Sequence, residues 1–407
     1  MGKSEELLML QDVRDKAVVV LMLLLTGCSS RSVVPTQIGA VTGPPTAVAP
    51  ASATVEMPTA TTGQNLFFDH IDMSDAKSGW AWKSPSQLYR TDDGGSTWIE
   101  IHLQGKRIVP GGVFLDGQEA WLPGVPDANL AQTVFRTTDG GRTWTDLASL
   151  PGPDLSLYFH DPRNGWALNG IGAAGSIFYQ AYKTMDGGTT WTQLQLPSRG
   201  ASSATPAHTM RVATTDSLSF TPPGTIWIAL GSGASTTYAG LTVLRDDGKT
   251  WQEINPPLTA DLLQGQPPVL TGHPEFVTDQ QAYLPVAVGG RLVFFESKDA
   301  GATWELLPPI LPIIPMIPRV QFVSPENGFA VCGANLCSTH DGATSWQDIP
   351  TPFSFDPFSG GSHVIQFDFV DKQTGWAILT DADQQMSLVK TEDGGRTWIH
   401  MEPRAGF

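Results

Sequence analysis

From residue 65 onward, apolar and polar positions alternate in short runs, and the runs break at clusters of turn formers. "VIQFDFV" (364–370) and "RVQFVS" (319–324) show the alternation, and "DKQTG" (371–375) and "SPENG" (324–328) follow them as turns. A period of two between turn signals predicts half-buried antiparallel strands. The same order recurs along the chain: an alternating run, a polar turn, a strand centred on an aromatic, a variable hairpin, a third strand, a glycine turn and a fourth strand.

Two markers fix the repeat. One is an eight-residue phrase, clearest as "TDDGGSTW" (91–98), "TTDGGRTW" (137–144) and "TEDGGRTW" (391–398). It drifts to "TMDGGTTW" (184–191), "LRDDGKTW" (244–251), "SKDAGATW" (297–304) and "THDGATSW" (339–346). The other marker is an aromatic between small or apolar neighbours: Trp80, Trp121, Trp166, Trp227, Tyr283, Phe329 and Trp376. Seven of the 13 tryptophans fall in the phrases and five in the aromatic series, leaving only Trp82. Seven repeats of four strands, each roughly 40–50 residues long, predict an all-β fold, a seven-bladed β-propeller of four-stranded antiparallel blades.

The phrase has a local physical reading. Its glycines accept positive φ at little cost, and its aspartate can take backbone N–H groups of its own turn while the flanking hydroxyls close the network. The tryptophan opens the outer strand, where its ring can pack on neighbouring strands or the next blade. The phrase is therefore expected to clip strand three to strand four. Isolated carboxylates of this kind do not make a six- to eight-oxygen calcium site, so no metal and no cofactor is expected.

With its marker aromatic, the phrase resembles the Asp-box, or BNR repeat, of sialidases, sortilin-type receptors and the photosystem II assembly and stability factor family. The "GWA…T.DGG.TW" coupling is most similar to the last of these, whose members form seven-bladed propellers. The resemblance implies that Asp93, Asp139, Asp186, Asp246, Asp299, Asp341 and Asp393 are structural, and it suggests a role in assembling a membrane protein complex. The repeat occurs in enzymes and non-enzymes alike. A sialidase would need an arginine triad, a tyrosine nucleophile with a glutamate, an acidic proton donor and an "RIP"-type motif. Here the nearest string is "RIVP" (107–110), and only six tyrosines are present. The "GxSxG" elbow, the His-x-x-x-His zinc pair and a phosphate-binding glycine loop are missing as well.

Composition adds a setting. The chain has 24 Lys+Arg against 40 Asp+Glu, a net charge of −16, which speaks against nucleic acid as a partner. "AVVVLMLLLTG" (17–27) is too short to span a bilayer. It ends in "LTGC" (25–28), which resembles a bacterial lipoprotein signal with Cys28 as the lipidated residue. Residues 29–64 are rich in Pro, Ala, Thr and Ser and read as a tether. The expected plan is a signal peptide over 1–27, the lipidated cysteine and tether over 28–64, and the propeller over 65–407. This places a monomeric, lipid-anchored body in the bacterial cell envelope, outside the cytoplasm. The two remaining cysteines, Cys332 and Cys337, bracket a four-residue hairpin segment and are expected to form a disulfide.

Uneven links between repeats are where binding is expected: 197–210, 256–275, 308–320 and 350–363. These links nominate His208, Arg211, His273, Arg319 and His363, with Arg107 and Tyr238 as secondary candidates. The expected activity is non-catalytic: a scaffold or recognition module for another protein or an envelope component. The alternative is a surface glycosidase or glycan-binding protein.

Overall fold

The computed structural model describes residues 66–405 except 84–85, 104, 174–175, 195–217, 222–224, 232–238, 246–249, 255–256, 258, 260–267, 271–273, 289, 309–310 and 313–319. They belong to one compact unit, Thr54–Phe407; a second unit, Met1–Ala53, lies outside them. The described elements are all strands, and no helix among them is long and apolar enough to cross a membrane. The protein is an all-β propeller.

The strands pair into sheets in chain order. Sheet 1 contains His70–Met73, Gly79–Lys83, Gln87–Thr91 and Thr97–Ile101, and sheet 2 runs from Val113–Phe114 to Thr145–Pro151. Sheets 3 and 4 run from Asp154–Phe159 to Thr192–Gln193 and from Leu218–Thr221 to Thr250–Ile254. Sheets 6 and 7 run from Val320–Phe322 to Gln347–Ile349 and from His363–Phe369 to Ile399–His400. Sheet 5 departs from the plan. Its first-strand position is filled by Pro268–Leu270 and Glu275–Phe276, both paired to Ala282–Val288, and Leu311–Pro312 joins Glu305–Leu306 on its outer side. At the end of the chain, Arg404–Ala405 adds a parallel fifth strand to the outer edge of sheet 1.

Within a sheet, a bulky residue ending the first strand lies opposite a small residue opening the second. The pairs include Met73 with Gly79, Phe114 with Ala120, Phe159 with Gly165, Phe322 with Gly328 and Phe369 with Gly375. A Cβ at Gly328 would come 2.7 Å from the Phe322 ring. The small residue of the "GWA" triplet therefore makes room for that ring.

The aromatic after it then reaches the next sheet. Trp80 stacks on Phe114 at 5.0 Å, Trp121 on Phe159 at 3.8 Å, Tyr283 on Phe322 at 4.0 Å and Phe329 on Phe369 at 3.6 Å between ring centroids. The buried indoles also donate across the boundary. Trp80 donates to the Asp116 carbonyl at 2.9 Å, Trp121 to Gly187 at 2.9 Å and Trp376 of sheet 7 to Gly94 of sheet 1 at 3.0 Å. Trp80, Trp121 and Trp376, together with Tyr283, whose hydroxyl donates to the Pro325 carbonyl at 2.6 Å, thus join their own sheet to its successor by apolar contact and a directed hydrogen bond, and Phe329 does so by ring stacking alone.

Candidate functional site

The repeated phrase accounts for its own polar atoms. In the second copy Asp139 Oδ1 accepts the Thr143 amide at 2.9 Å and the Thr137 hydroxyl at 2.8 Å, and Oδ2 accepts the Thr143 hydroxyl at 2.6 Å. The Thr137 hydroxyl in turn accepts the Gly141 amide at 2.9 Å. The same bonds recur around Asp93, Asp186, Asp299, Asp341 and Asp393. The turn is also tied to the one between strands one and two of its sheet: the Gly94 amide donates to Lys77 and the Gly140 amide to Gln118. Both turns therefore lie on one face. Burial raises the Asp139 carboxyl, but donors from Thr143 and Thr137 outweigh it and hold the group below the usual carboxylate range. At Asp186 the Thr190 hydroxyl is the largest influence, and it acts in the same direction.

Alanine replaces glycine twice in these turns and keeps the left-handed backbone, with φ 55° at Ala300 and 60° at Ala343. The turn geometry is therefore dictated by the hydrogen bonds, not only permitted by glycine.

The opposite face carries a cleft of about 290 Å³ between sheets 1 and 2, lined by Asp69, His70, Trp82, Lys83, Pro110, Gly111, Gly112 and Phe114. The Trp82 and Phe114 rings, 6.3 Å apart, form its apolar wall. Lys83 lies at its rim with Nζ 4.4 Å from the Phe67 ring. An aromatic wall with a cation, a carboxylate and an imidazole around it is a surface that can seat an extended chain. Trp82, left over from the repeat arithmetic, belongs here.

Of the sequence candidates, His363 opens the first strand of sheet 7 and its Nδ1 lies 3.2 Å from the Gly361 carbonyl. Arg107 is exposed in the link between sheets 1 and 2, where its carbonyl accepts the Val125 amide. His208, Arg211, His273, Arg319 and Tyr238 lie outside the described residues, as do Asp246 and Cys28. Cys332 and Cys337 are joined as a disulfide, with Cα atoms 6.0 Å apart.

The first strands stand side by side, and polar side chains sew them together. Glu275 of sheet 5 accepts the Phe322 amide of sheet 6 at 3.0 Å. Gln321 of sheet 6 accepts the Phe369 amide of sheet 7 at 2.8 Å and donates to the Phe369 carbonyl at 3.0 Å. Gln366 of sheet 7 pairs with both backbone groups of Ile71 in sheet 1, and Asp368 accepts the Met73 amide at 2.6 Å. Burial pushes Glu275 up to about 8 against the single opposing bond from Phe322. Asp72 rises to about 7 through burial first and the nearby Asp368 second. Its side chain keeps partial solvent exposure yet stands deep among protein atoms; depth governs desolvation, so the upward direction holds. Asp368 also rises by burial, opposed by Met73 and Gln321.

Residues 47–203, less than half of the chain, match the family model described as photosynthesis system II assembly factor YCF48. Over that stretch the chain is similar to the YCF48 family. No curated protein matches the sequence. Among solved structures, one described as YCF48 bound to D1 peptide is 18% identical with a TM-score of 0.52, covering 80% of this chain and 91% of that one. YCF48 from Cyanidioschyzon merolae is 18% identical with a TM-score of 0.51, covering 82% and 97%. A prolyl endopeptidase structure reaches a TM-score of 0.51 at 10% identity, covering 83% of this chain and 50% of that one. At these identities the structural likenesses establish the propeller fold. YCF48-type repeats and an endopeptidase share that fold, so fold alone does not assign catalysis.

Proposed function

We propose that this chain is a non-catalytic protein-binding scaffold of the YCF48 type, assisting assembly of a membrane or envelope complex. The seven sheets are read as seven blades of a ring sealed between sheets 7 and 1. The body is held outside the cytoplasm on a tether by a lipid at Cys28. The observation that carries this reading is the YCF48 family match, in a body whose described box carboxylates are all occupied within their own turns. One relative of this fold is described as bound to a peptide, and the aromatic cleft between sheets 1 and 2 has the chemistry to receive one. The net charge of −16 favours partner segments that carry basic residues.

The test is capture of membrane proteins from a detergent extract of the source cells by the full chain, alongside a glycan array and a fluorogenic sialoside assay. The reading expects one reproducible polypeptide partner whose capture falls at least tenfold in Asp69→Lys, which reverses the carboxylate at the cleft, with no sialoside turnover. Hydrolysis of the sialoside, or retention of glycans instead of polypeptide, would replace it with the glycosidase or glycan-binding alternative.

A further inference from the structure

In sheet 6, Cys332 ends the strand Gly328–Cys332, and Cys337 lies in the next strand, Asn335–Thr339. The register pairs Cys332 with Asn335 and Ala330 with Cys337, which makes the cysteines diagonal neighbours on one face. Asp348, in the strand Gln347–Ile349, stands opposite Cys337. Three adjacent strands thus direct two sulfurs and a carboxylate to one point. Asp348 Oδ1 is 2.9 Å from Cys337 Sγ and 3.3 Å from Cys332 Sγ. Both cysteines are buried in an apolar cluster with Leu292 and Phe294 of sheet 5, whereas Asp348 is exposed.

A disulfide has no proton to offer a carboxylate, so in the oxidised state this close approach makes no hydrogen bond. In the reduced state the same atoms become complementary to a cation. A tetrahedral zinc ion holds thiolates at about 2.3 Å and a carboxylate oxygen at about 2.0–2.2 Å, and the sulfurs need only separate within a hairpin whose Cα atoms already lie 6.0 Å apart. The Cys-x4-Cys spacing falls within the range that zinc sites use. The buried side strengthens charge attraction and the exposed Asp348 side leaves an entry path.

We propose that Cys332, Cys337 and Asp348 form a redox-gated zinc site, closed as the disulfide and opened by reduction. A dithiol reductant gives two electrons to the S–S bond, two protons complete the two thiols, and the reductant leaves as its own disulfide. Zinc then displaces both thiol protons to solvent and binds the two thiolates and the Asp348 carboxylate, with water in the fourth position. The proposal is independent of the scaffold reading above.

The full chain, either oxidised or reduced anaerobically and desalted, is titrated with zinc chloride against a chromophoric chelator, and with cobalt(II) to observe sulfur-to-metal charge transfer. The expected result is one tightly held equivalent in the reduced chain and none in the oxidised chain. Cobalt charge transfer should vanish in Cys332→Ser/Cys337→Ser, and zinc affinity should fall at least tenfold in Asp348→Asn with both thiols still titrating. Comparison of the two redox states of the unaltered chain keeps the test valid should a variant misfold. No stoichiometric zinc in the reduced chain, equal uptake by the oxidised chain, or unchanged affinity in Asp348→Asn would overturn it.

Discussion

At the scale of single residues, the six described box aspartates behave as local hydrogen-bond hubs. Asp139 takes an amide and two hydroxyls, and all of its donors belong to its own turn. Asp139→Ala leaves those donors to solvent. Because the turn is partly exposed, water replaces much of the loss, and a destabilisation of about 1–2 kcal/mol is expected in urea unfolding. The pH dependence has a definite sign. The folded carboxyl sits below its unfolded value, so its contribution is present above the ordinary carboxylate range and fades as pH falls through the folded pKa. Unfolding midpoints of Asp139→Ala and the unaltered chain should therefore differ at pH 7 and converge toward pH 2. A difference that persists at pH 2 would mean that the carboxylate is not what the turn uses. This role was legible from the phrase alone, because Ser/Thr, Asp and Gly at fixed offsets are the ingredients of a self-bonded turn.

At the scale of strands and sheets, the marker aromatic was legible but its partner was not. The bulky residue lies six positions before the small one, as in Phe159 to Gly165, Phe322 to Gly328 and Phe369 to Gly375. In sequence it looks like any apolar position of an alternating strand, and only the register shows that its ring covers a residue without a Cβ. The pairing makes Gly328→Ala informative, since Gly328 needs no left-handed backbone and an added methyl would meet the Phe322 ring first. Overpacking of about 1–3 kcal/mol is expected. The double variant with Phe322→Leu should recover part of it, and strictly additive losses in thermal unfolding would show that the ring is not the obstacle. The stitching by Glu275, Gln321, Gln366 and Asp368 was invisible for a similar reason. Polar residues in an alternating strand read as its solvent face, and their true partners lie in the neighbouring sheet, as far as 295 positions away along the chain.

At the scale of the whole molecule, closure brings the end of the chain to its beginning. Sheet 7 meets sheet 1 through Gln366 on Ile71, Asp368 on Met73 and Trp376 on Gly94, and Arg404–Ala405 lies along the outer edge of sheet 1. The same seam holds Asp72 near Asp368, and both carboxyls titrate above the ordinary range. A raised carboxyl pKa means that the folded state binds more protons than the unfolded one, so stability falls as pH rises from the unfolded value near 4 to the folded value. For Asp72 that window closes at about 7, and for Glu275 at about 8. The box aspartates act oppositely and below pH 4, so the two sets together place the stability maximum on the mildly acidic side of neutrality. Asp72→Asn removes the seam's repulsion without changing its shape. It should raise the melting temperature at pH 8, by about 1–2 °C for each kcal/mol relieved in a body of this size, and have little effect at pH 4, where the native carboxyl is already protonated. Equal shifts at both pH values would mean that the substitution acts through packing and that the carboxylate pair does not govern closure. Because the seam joins the ends of the ring, its loosening at alkaline pH should also appear first in hydrogen exchange at Ile71 and Met73, whose amides donate across it, ahead of amides within sheets 2 and 3.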